Sequence, residues 1–576
     1  MDYSYEKIDY IEKNLQMENV VKGDRLKSLE QMMKETNTTA LTVAVIEECE
    51  LKWCKGYGIT DKVSNNKVNT KTLFQAASIS KAITALAVMT LVEDKKLDLD
   101  TDVNEYLTSW KLPQNDYTKY APVTLRNLLS HTAGINVSGF LGYNMTDCIP
   151  SIIEVLNGSP NSNSMKVKVD IKPNTQYLYS GGGISIVQQV LVDQMNLPFE
   201  ELMKLLVLTP LDMESSFFQC TPLSETKNIA VGHDVNGKQL PGKYHVYPEM
   251  AAAGLWTTIE DLAKYVVEVQ KSLKNKSNKI LSKRFMELMV TPVLNGEYNL
   301  GLTNFKVIDE VLVGHTGSNV GYKSSMMFHK DDGYGLVVMT NSDLGGKIKM
   351  PLLRSVAAAN NWGTILRPVL EVEEITDEVL SLFCHKFRVS LDESLIISEC
   401  ENKLFCKLFN EDQCELTFVG NYTFINSKRD ILIKYSQISN QYFMNGKEII
   451  AMSNDDHLPL DFVEKKDVKQ AVELYKDIMR KNEKYKSSLE RRLGYFGLEA
   501  RDRGEYDIAI VILNIVVNLF PESLISWFIL GEIYFEDEKY DLSIQAMENT
   551  LKLNPKNVKA KKLIKDATIK LGLIIS

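Results

Sequence analysis

Short runs of alternating apolar and polar residues lie near both ends of the first 365 residues, and they predict strands. The runs Leu41–Ile46 and Leu51–Gly56 flank the polar segment Glu47-Glu-Cys-Glu50, which is typical of a β-hairpin. Further strand-like runs follow at Lys323–Phe328 and Gly335–Thr340. Strands at both ends, with helix- and loop-forming sequence between them, predict one antiparallel sheet with an inserted helical lobe.

Three stretches of the same region have the character of helices. Residues 6–35 are predicted to form one polar helix, and a helix near Lys347–Asn361 closes the region. The apolar run from Ser78 to Val92 predicts a helix that is buried in the core.

The pattern of apolar and polar residues changes after residue 365. Alternating runs between residues 395 and 444 recur roughly every 8 to 12 residues, which predicts a small β-sandwich or barrel. Residues 466–576 are predicted to be helical, and their pattern repeats with an offset of 34 positions. This period, with small residues where helices cross, is typical of a tetratricopeptide repeat. The equivalent pairs are Phe496 and Leu530, Gly497 and Gly531, Tyr506 and Tyr540, Ala509 and Ser543, Ile510 and Ile544, and Pro521 and Pro555.

We therefore expect three domains. They span residues 1–365, 366–462 and 463–576, with two repeats at about 490–522 and 523–556 followed by a capping helix. Two repeats are fewer than such arrays usually need for stability, so the tail either acts as a stabilising appendage or offers a groove. A groove would bind a partner protein or a second copy of this chain.

Ser78 and Lys81 are the first candidates for chemistry. In a helix, residues three apart share one face, so the hydroxyl and the amine would lie side by side at the first turn. The partial positive charge of that helix end favours developing negative charge. A serine beside an amine is one arrangement that activates a hydroxyl as a nucleophile. The alternative is that a serine caps a core helix while Lys81 extends to water.

Composition and charge exclude several classes of function. The chain has 576 residues, 44% of them hydrophobic and 24% charged, and a net charge of −9. It has no basic stripe, which argues against nucleic acid as a ligand. The eight cysteines are scattered without a Cys-x-x-Cys motif, which argues against a zinc or redox site. No apolar run approaches the length of a membrane span, and the N-terminus lacks a signal-peptide pattern. We therefore expect a cytoplasmic protein, with unconventional export as the alternative.

Four further segments give the Ser78–Lys81 pair its context. With that pair, and in this order, they resemble the serine β-lactamase-like family, which includes class C β-lactamases, penicillin-binding peptidases, D-aminopeptidases and related esterases. The resemblance covers roughly residues 20–365. The segments are Leu128-Leu-Ser-His-Thr-Ala-Gly-Ile135, Pro173-Asn-Thr-Gln-Tyr-Leu-Tyr-Ser-Gly-Gly-Gly183, Ala251-Ala-Ala-Gly-Leu-Trp-Thr-Thr-Ile-Glu-Asp-Leu262 and Gly314-His-Thr-Gly-Ser-Asn-Val-Gly-Tyr322.

The resemblance implies a role for each motif. Ser78 would be the acylated nucleophile, Lys81 would share its proton, and Tyr179 would be a general base or proton shuttle. Whether Lys81 or Tyr179 accepts the serine proton stays open. The segment of His315 and Gly317 would line one wall of the site.

The backbone N–H groups of Ser78 and Ser318 would form the oxyanion hole. His131 could be taken for the histidine of a Ser/His/Asp triad, but the resemblance implies a hydrogen-bonded core histidine. No metal or organic cofactor is implied. The β-domain would be a lipocalin-like barrel, and in related enzymes a β-domain of this kind borders or covers the cleft.

Two positions depart from the family pattern. Gly181 replaces an asparagine that would touch the acyl side chain. His315 replaces a lysine, so a permanent cation becomes a group expected to titrate near neutrality. Both changes disfavour efficient β-lactamase or carboxypeptidase activity.

The leading hypothesis is a serine hydrolase that forms an acyl-enzyme on an ester or an amide such as a D-amino-acid peptide. Two alternatives stay open: an acyltransferase that makes or trims a peptide product, and a non-catalytic ligand-sensing scaffold whose tail binds protein.

Overall fold

The strand-like runs at the two ends of the first region form a six-stranded antiparallel sheet. This computed structural model describes residues 4–572 except 220–227, 295, 297, 363–364, 427–429, 454 and 556. The chain divides into two units. The first comprises Met1–Leu15 and Lys27–Leu366, and the second comprises Gln16–Leu26 and Arg367–Ser576.

The first unit combines the sheet with helices. Its strands are β1 (Ala40–Glu47), β2 (Glu50–Gly58), β3 (Phe74–Gln75), β4 (Phe217–Phe218), β5 (Leu255–Thr257), β6 (Thr303–Val307), β7 (Glu310–Asn319), β8 (Tyr322–Phe328) and β9 (Gly335–Thr340). Its helices are α1 (Tyr5–Lys13), α2 (Leu29–Glu35), α3 (Ser80–Glu93), α4 (Val103–Tyr106), α5 (Leu125–Leu129), α6 (Ile152–Asn157), α7 (Gly181–Met195), α8 (Phe199–Met203), α9 (Met250–Ala253), α10 (Ile259–Leu273), α11 (Lys283–Met289) and α12 (Lys349–Asn360).

The six-stranded sheet separates two apolar cores. Its strand order is β2-β1-β9-β8-β7-β6, and every neighbouring pair is antiparallel. Along β1, Ala44 and Ile46 face the core that contains α3, whereas Val43 and Val45 face the core of α1 and α12. This alternation follows from the two-residue period of a strand. The predicted hairpin, the strands at β8 and β9 and the closing helix are confirmed.

Helix α3 crosses the larger core and is apolar on every side. Eleven of its side chains, from Ser80 to Leu91, are buried. A helix without a polar face belongs in an interior, which confirms the buried helix predicted from the sequence. Its first turn therefore lies in a water-poor environment.

The single helix predicted for residues 6–35 is wrong. The chain forms α1 and α2 there, and residues 16–26 between them belong to the second unit. Val21 pairs with Leu370 in a parallel bridge, and Gly23 has a φ of 94°, which a right-handed helix excludes. Long-range pairing therefore overrides the local preference.

The second unit contains a closed eight-stranded antiparallel barrel followed by helices, which confirms the expected fold classes. The strands are β10 (Lys386–Arg388), β11 (Ser394–Cys400), β12 (Lys403–Lys407), β13 (Cys414–Phe418), β14 (Thr423–Asn426), β15 (Ile431–Ser436), β16 (Gln441–Met444) and β17 (Lys447–Met452). The helices are α13 (Asp377–Phe383), α14 (Asp461–Glu464), α15 (Val468–Lys481), α16 (Glu483–Asp502), α17 (Tyr506–Leu519), α18 (Leu524–Glu536), α19 (Tyr540–Leu553) and α20 (Val558–Lys570). The domain boundaries given above stay predictions.

Two glycines in the tail lie where helices cross. A Cβ on Gly497 would lie 2.9 Å from the Leu513 side chain, and a Cβ on Gly531 would lie 2.6 Å from the Met547 side chain. The two contacts are offset by the same 34 positions as the sequence pattern (531 − 497 and 547 − 513). The tail is thus consistent with a repeat-like region, and its binding of a partner or a second copy stays a prediction. Among the residues that the structure describes, none of the helices has the length and apolar character needed to cross a bilayer.

We expect Gly497→Ala to destabilise the tail by roughly 1–3 kcal/mol, because the new methyl group overpacks against Leu513. Gly494 is the matched control, since it lies on the same helix with no atom within 4 Å of its added Cβ. Gly494→Ala should be neutral or stabilising because alanine favours helix. Amide hydrogen exchange in α16 and α17 measures both effects, and equal protection in the two variants would contradict the packing argument.

Candidate active site

Ser78 and Lys81 lie side by side where α3 begins. Ser78 belongs to the 3-10 turn Ala77–Ile79, which leads directly into the helix. The Lys81 Nζ is 2.9 Å from the Ser78 Oγ and 2.7 Å from the Ala252 carbonyl oxygen, within hydrogen-bond distance of both. The pairing expected from their spacing is therefore present.

Ser80 has a different task from Ser78. Its Oγ donates to the Ala77 carbonyl at 2.6 Å and accepts the Leu255 backbone N–H at 3.0 Å. These two bonds occupy the hydroxyl and fasten the start of α3 to β5. Ser78 is only half-buried and its hydroxyl faces the amine, so it is the better candidate nucleophile of the two serines.

The Lys81 amine is buried without a carboxylate partner among the described residues. Burial lowers its pKa to about 7, because removing water destabilises the ammonium form. A large fraction of the amine is therefore neutral at neutral pH. Its nitrogen lone pair can then accept the proton of the adjacent Ser78 hydroxyl.

Gly317 allows β7 to approach the turn that carries Ser78. A Cβ at this position would lie 2.1 Å from the Ala76 carbonyl oxygen and 3.0 Å from the Ala77 Cβ. Only glycine fits such an approach. The next residue, Ser318, is exposed, and because it adjoins Gly317 its backbone lies near the turn that carries Ser78. The oxyanion hole formed by Ser78 and Ser318 stays a prediction that this contact favours.

His131 holds the segment that carries Tyr179. The Leu178 N–H donates to the His131 carbonyl oxygen at 2.8 Å, and the Ser180 N–H donates to His131 Nδ1 at 3.2 Å. The two rings are 4.3 Å apart between centroids, and the Lys81 Nζ lies 5.2 Å from the centre of the Tyr179 ring. Both residues flanking Tyr179 are thus fixed.

The His131 ring is neutral. Burial, helped by the nearby Lys81 charge, holds its pKa well below the usual value. Because Nδ1 accepts a hydrogen bond, the ring proton must be on Nε2. A histidine in this state cannot serve as the base of a triad, in line with the structural role expected for it.

His315 differs from the group expected at its position. Its Nδ1 lies 2.6 Å from the Thr316 carbonyl oxygen, which can only accept, so Nδ1 carries the proton. Nε2 then accepts from the Tyr298 hydroxyl, 2.5 Å away. Burial, with the Lys81 charge, lowers the pKa of His315 to about 3. The expectation that it titrates near neutrality is therefore wrong, and His315 supplies no cation.

Tyr298 is a site residue that the sequence analysis missed. It is fully buried, and its ring lies 4.5 Å from the His131 ring between centroids. Gly301, three residues later, has a φ of 77°, and a Cβ there would lie 2.3 Å from the Ala85 Cβ of α3. In the sequence, Tyr298 followed by Gly301 was the available signal for a segment that packs closely against α3.

Phe140 occupies the place next to Gly181. A Cβ on Gly181 would lie 2.9 Å from the Phe140 ring and 3.2 Å from the Ser138 carbonyl oxygen. The Gly181 N–H already donates to that carbonyl oxygen at 2.9 Å. A side chain at position 181 would therefore require the Phe140 ring to move, and this half-buried ring occupies the space instead.

A pocket of about 190 Å³ lies beside the Gly317–Ser318 segment, on the α12 face of the sheet rather than on the face that packs against the turn of Ser78. Lys323 in its wall is paired with Asp343 at 2.8 Å. Lys349, at the first position of α12, has no carboxylate partner among the described residues, and burial lowers its pKa. Side chains from three strands and α12 line the pocket: Thr316, Ser318, Lys323, Ser325, Thr340 and Lys349. The sequence analysis did not identify this lysine-lined pocket, because its residues meet only in the folded sheet.

Comparison with known proteins identifies the family. The family profile described as Beta-lactamase matches residues 27–360. This chain belongs to the beta-lactamase family. Protein flp of Staphylococcus aureus (strain N315) is 23% identical over 333 residues, which are 55% of this chain and 62% of that protein. A beta-lactamase of Pseudomonas fluorescens is 27% identical over 247 residues, 42% of this chain and 62% of that protein.

A solved structure supports the same fold for this beta-lactamase family member. The octameric penicillin-binding protein homologue from Pyrococcus abyssi superposes with a TM-score of 0.51 at 20% identity, covering 74% of this chain and 98% of that one. The chain spans 62% of the length of the curated relatives given above. The family therefore establishes a serine hydrolase-type fold, whereas the activity of this protein is a separate question.

The lowered pKa of Lys81 predicts how the activity of this family member depends on pH. The kcat/KM for a neutral ester should rise with pH through an apparent pKa of about 7 and then level off, since only the neutral amine accepts the serine proton. Lys81→Arg should reduce the rate by roughly 10²–10⁴-fold above about pH 7, because arginine stays charged, and the difference from the wild type should shrink at lower pH as Lys81 is itself protonated. A wild-type rate that is flat from about pH 5 to about pH 9 would contradict this role.

Proposed function

We propose that the protein is a serine hydrolase that acts through an acyl-enzyme at Ser78 on an ester or an amide, such as a D-amino-acid peptide. The observation that carries this proposal is the 2.9 Å contact between the Ser78 hydroxyl and a buried amine whose pKa is about 7. A fully ionised lysine would not take up a proton.

The contact between the Ser78 hydroxyl and Lys81 supports a reaction in two steps. Ser78 Oγ attacks the carbonyl carbon while its proton passes to Lys81. The tetrahedral oxyanion would accept hydrogen bonds from the backbone N–H groups of Ser78 and Ser318, worth roughly 3–4 kcal/mol for one donor. Tyr179 would carry the proton to the leaving group, and water would then release the acyl group.

Phe140 favours an apolar acyl group. Its ring lies where the resemblance places an amide side chain, and the Gly181 N–H is already bonded to Ser138. This wall therefore offers no polar side chain to an acyl amide, which favours ester or aminopeptidase-type substrates over penicillins.

Lys349 favours a carboxylate on the leaving-group side. Its amine, which has no carboxylate partner among the described residues, lines with Thr316 and Ser318 a pocket on the α12 face of β7, which a substrate group passing the edge of this strand would reach. A helix N-terminus adds favourable potential for an anion. The cation absent at position 315 would thus be replaced from another element.

Active-site labelling tests the nucleophile. A fluorophosphonate should label the wild type and should not label Ser78→Ala. Ser381→Ala is a matched control, because Ser381 is exposed on α13 and should leave labelling unchanged. Labelling of folded Ser78→Ala at the wild-type rate, or no labelling of the wild type together with no ester hydrolysis, would refute the proposal.

Charge removal tests the pocket. For Lys349→Met, kcat/KM should fall about tenfold for an aryl acetate whose leaving group bears a carboxylate, and should hardly change for the uncharged analogue. Lys347→Met removes the same charge from the same segment, but Lys347 does not line the pocket. If both variants lost the same activity, general electrostatic attraction rather than a pocket would explain the effect.

A further inference from the structure

Two cysteines face each other across neighbouring strands of the barrel. Cys406 on β12 and Cys414 on β13 are direct partners in the antiparallel register. Their Sγ atoms are 3.4 Å apart, and the seven described cysteines form no disulfide. A disulfide has an S–S length of about 2.05 Å, so closing the remaining gap requires a side-chain adjustment of ~1.4 Å.

We propose that Cys406 and Cys414 are an oxidisable pair that forms a cross-strand disulfide when the protein meets a disulfide oxidant such as oxidised glutathione. The inference rests on a site in the second unit and is independent of the proposed hydrolase activity.

The two thiols differ in access, which assigns their order of reaction. Cys414 is partly exposed, whereas Cys406 is 1% exposed in the barrel core. The Cys414 thiolate attacks one sulfur of the oxidant, forms a mixed disulfide and releases one equivalent of reduced thiol. The Cys406 thiolate then attacks Cys414 Sγ and releases the second equivalent. In total, two protein thiols are oxidised by two electrons and one oxidant disulfide is reduced to two thiols.

The position of the pair gives the reaction a structural consequence. The two cysteines are the last cross-strand pair before the loop of the β12–β13 hairpin, and Phe409 lies in that loop. The Phe409 ring is 6.2 Å from the Phe496 ring of α16 between centroids and packs against the core of the helical tail. A disulfide at the loop end of the hairpin would restrict the loop that carries this contact.

Disulfide mapping tests the pair in the full-length protein. After incubation with oxidised glutathione, acid quenching and digestion, the wild type should yield a linked Cys406–Cys414 peptide that dithiothreitol separates. Cys406→Ser should instead retain glutathione on Cys414, because the resolving thiol is absent. Cys400 is exposed on β11, so Cys400→Ser serves as the matched control and should behave as the wild type.

Stability and exchange provide a second readout. Oxidation of the wild type should raise the unfolding midpoint of the barrel by roughly 5 °C and slow amide exchange in the β12–β13 hairpin. Cys400→Ser should show both effects, and Cys414→Ala should show neither. Glutathione that persists on wild-type Cys414, or oxidation of other cysteines without the linked peptide, would overturn the pair. A linked peptide with unchanged hairpin exchange would overturn the structural consequence.

Discussion

The removal of one amine from water is the constraint on which the candidate site depends. Lys81 extends from a helix that is apolar on every side, and its nitrogen contacts the Ser78 hydroxyl and the Ala252 carbonyl oxygen. An ammonium ion held there without a carboxylate would cost several kcal/mol. The fold meets this constraint by lowering the pKa of the amine, and the neutral amine is the form that can act as a base.

The rings near this amine, those of His131, Tyr179, Tyr298 and His315, form an aromatic wall. Its two histidines are neutral because a buried charge is costly there as well. The Lys81 charge contributes to the lowered pKa of both His131 and His315, and electrostatic coupling is reciprocal. A protonated histidine would disfavour the ammonium form still further and add a second buried cation. The two histidines instead use their ring nitrogens to hold backbone and hydroxyl groups, which positions Tyr179 and Tyr298.

Local spacing and the family resemblance predicted the parts of the molecule that local forces determine. The hairpin at β1 and β2, the apolar helix α3 and the contact of Ser78 with Lys81 all follow from periods of two residues or of about 3.6. The closed barrel likewise follows from the regular spacing of its strands.

Features determined by long-range packing were not predictable in this way. The break between α1 and α2 depends on the pairing of Val21 with Leu370, far away in the sequence. Phe140, Tyr298 and Lys349 lie on separate elements. Phe140 and Lys349 have no local pattern that distinguishes them from ordinary core or surface residues, and for Tyr298 the nearby Gly301 was the available signal. The error at His315 has the same origin, because only the folded environment moves its pKa so far.

An acyl-enzyme route requires a base twice, and the site supplies its base by desolvation rather than by a carboxylate. Glu249 precedes α9, the helix whose Ala252 carbonyl binds Lys81, but burial raises its pKa to about 8. It is therefore mostly protonated at neutral pH and is a poor base there. Once Ser78 is acylated, the attacking water must lose its proton to Lys81 or Tyr179. Where Lys81 is the base in both steps, one ionisation governs both half-reactions, and the water-poor first turn of α3 is then as necessary for releasing the acyl group as for forming it.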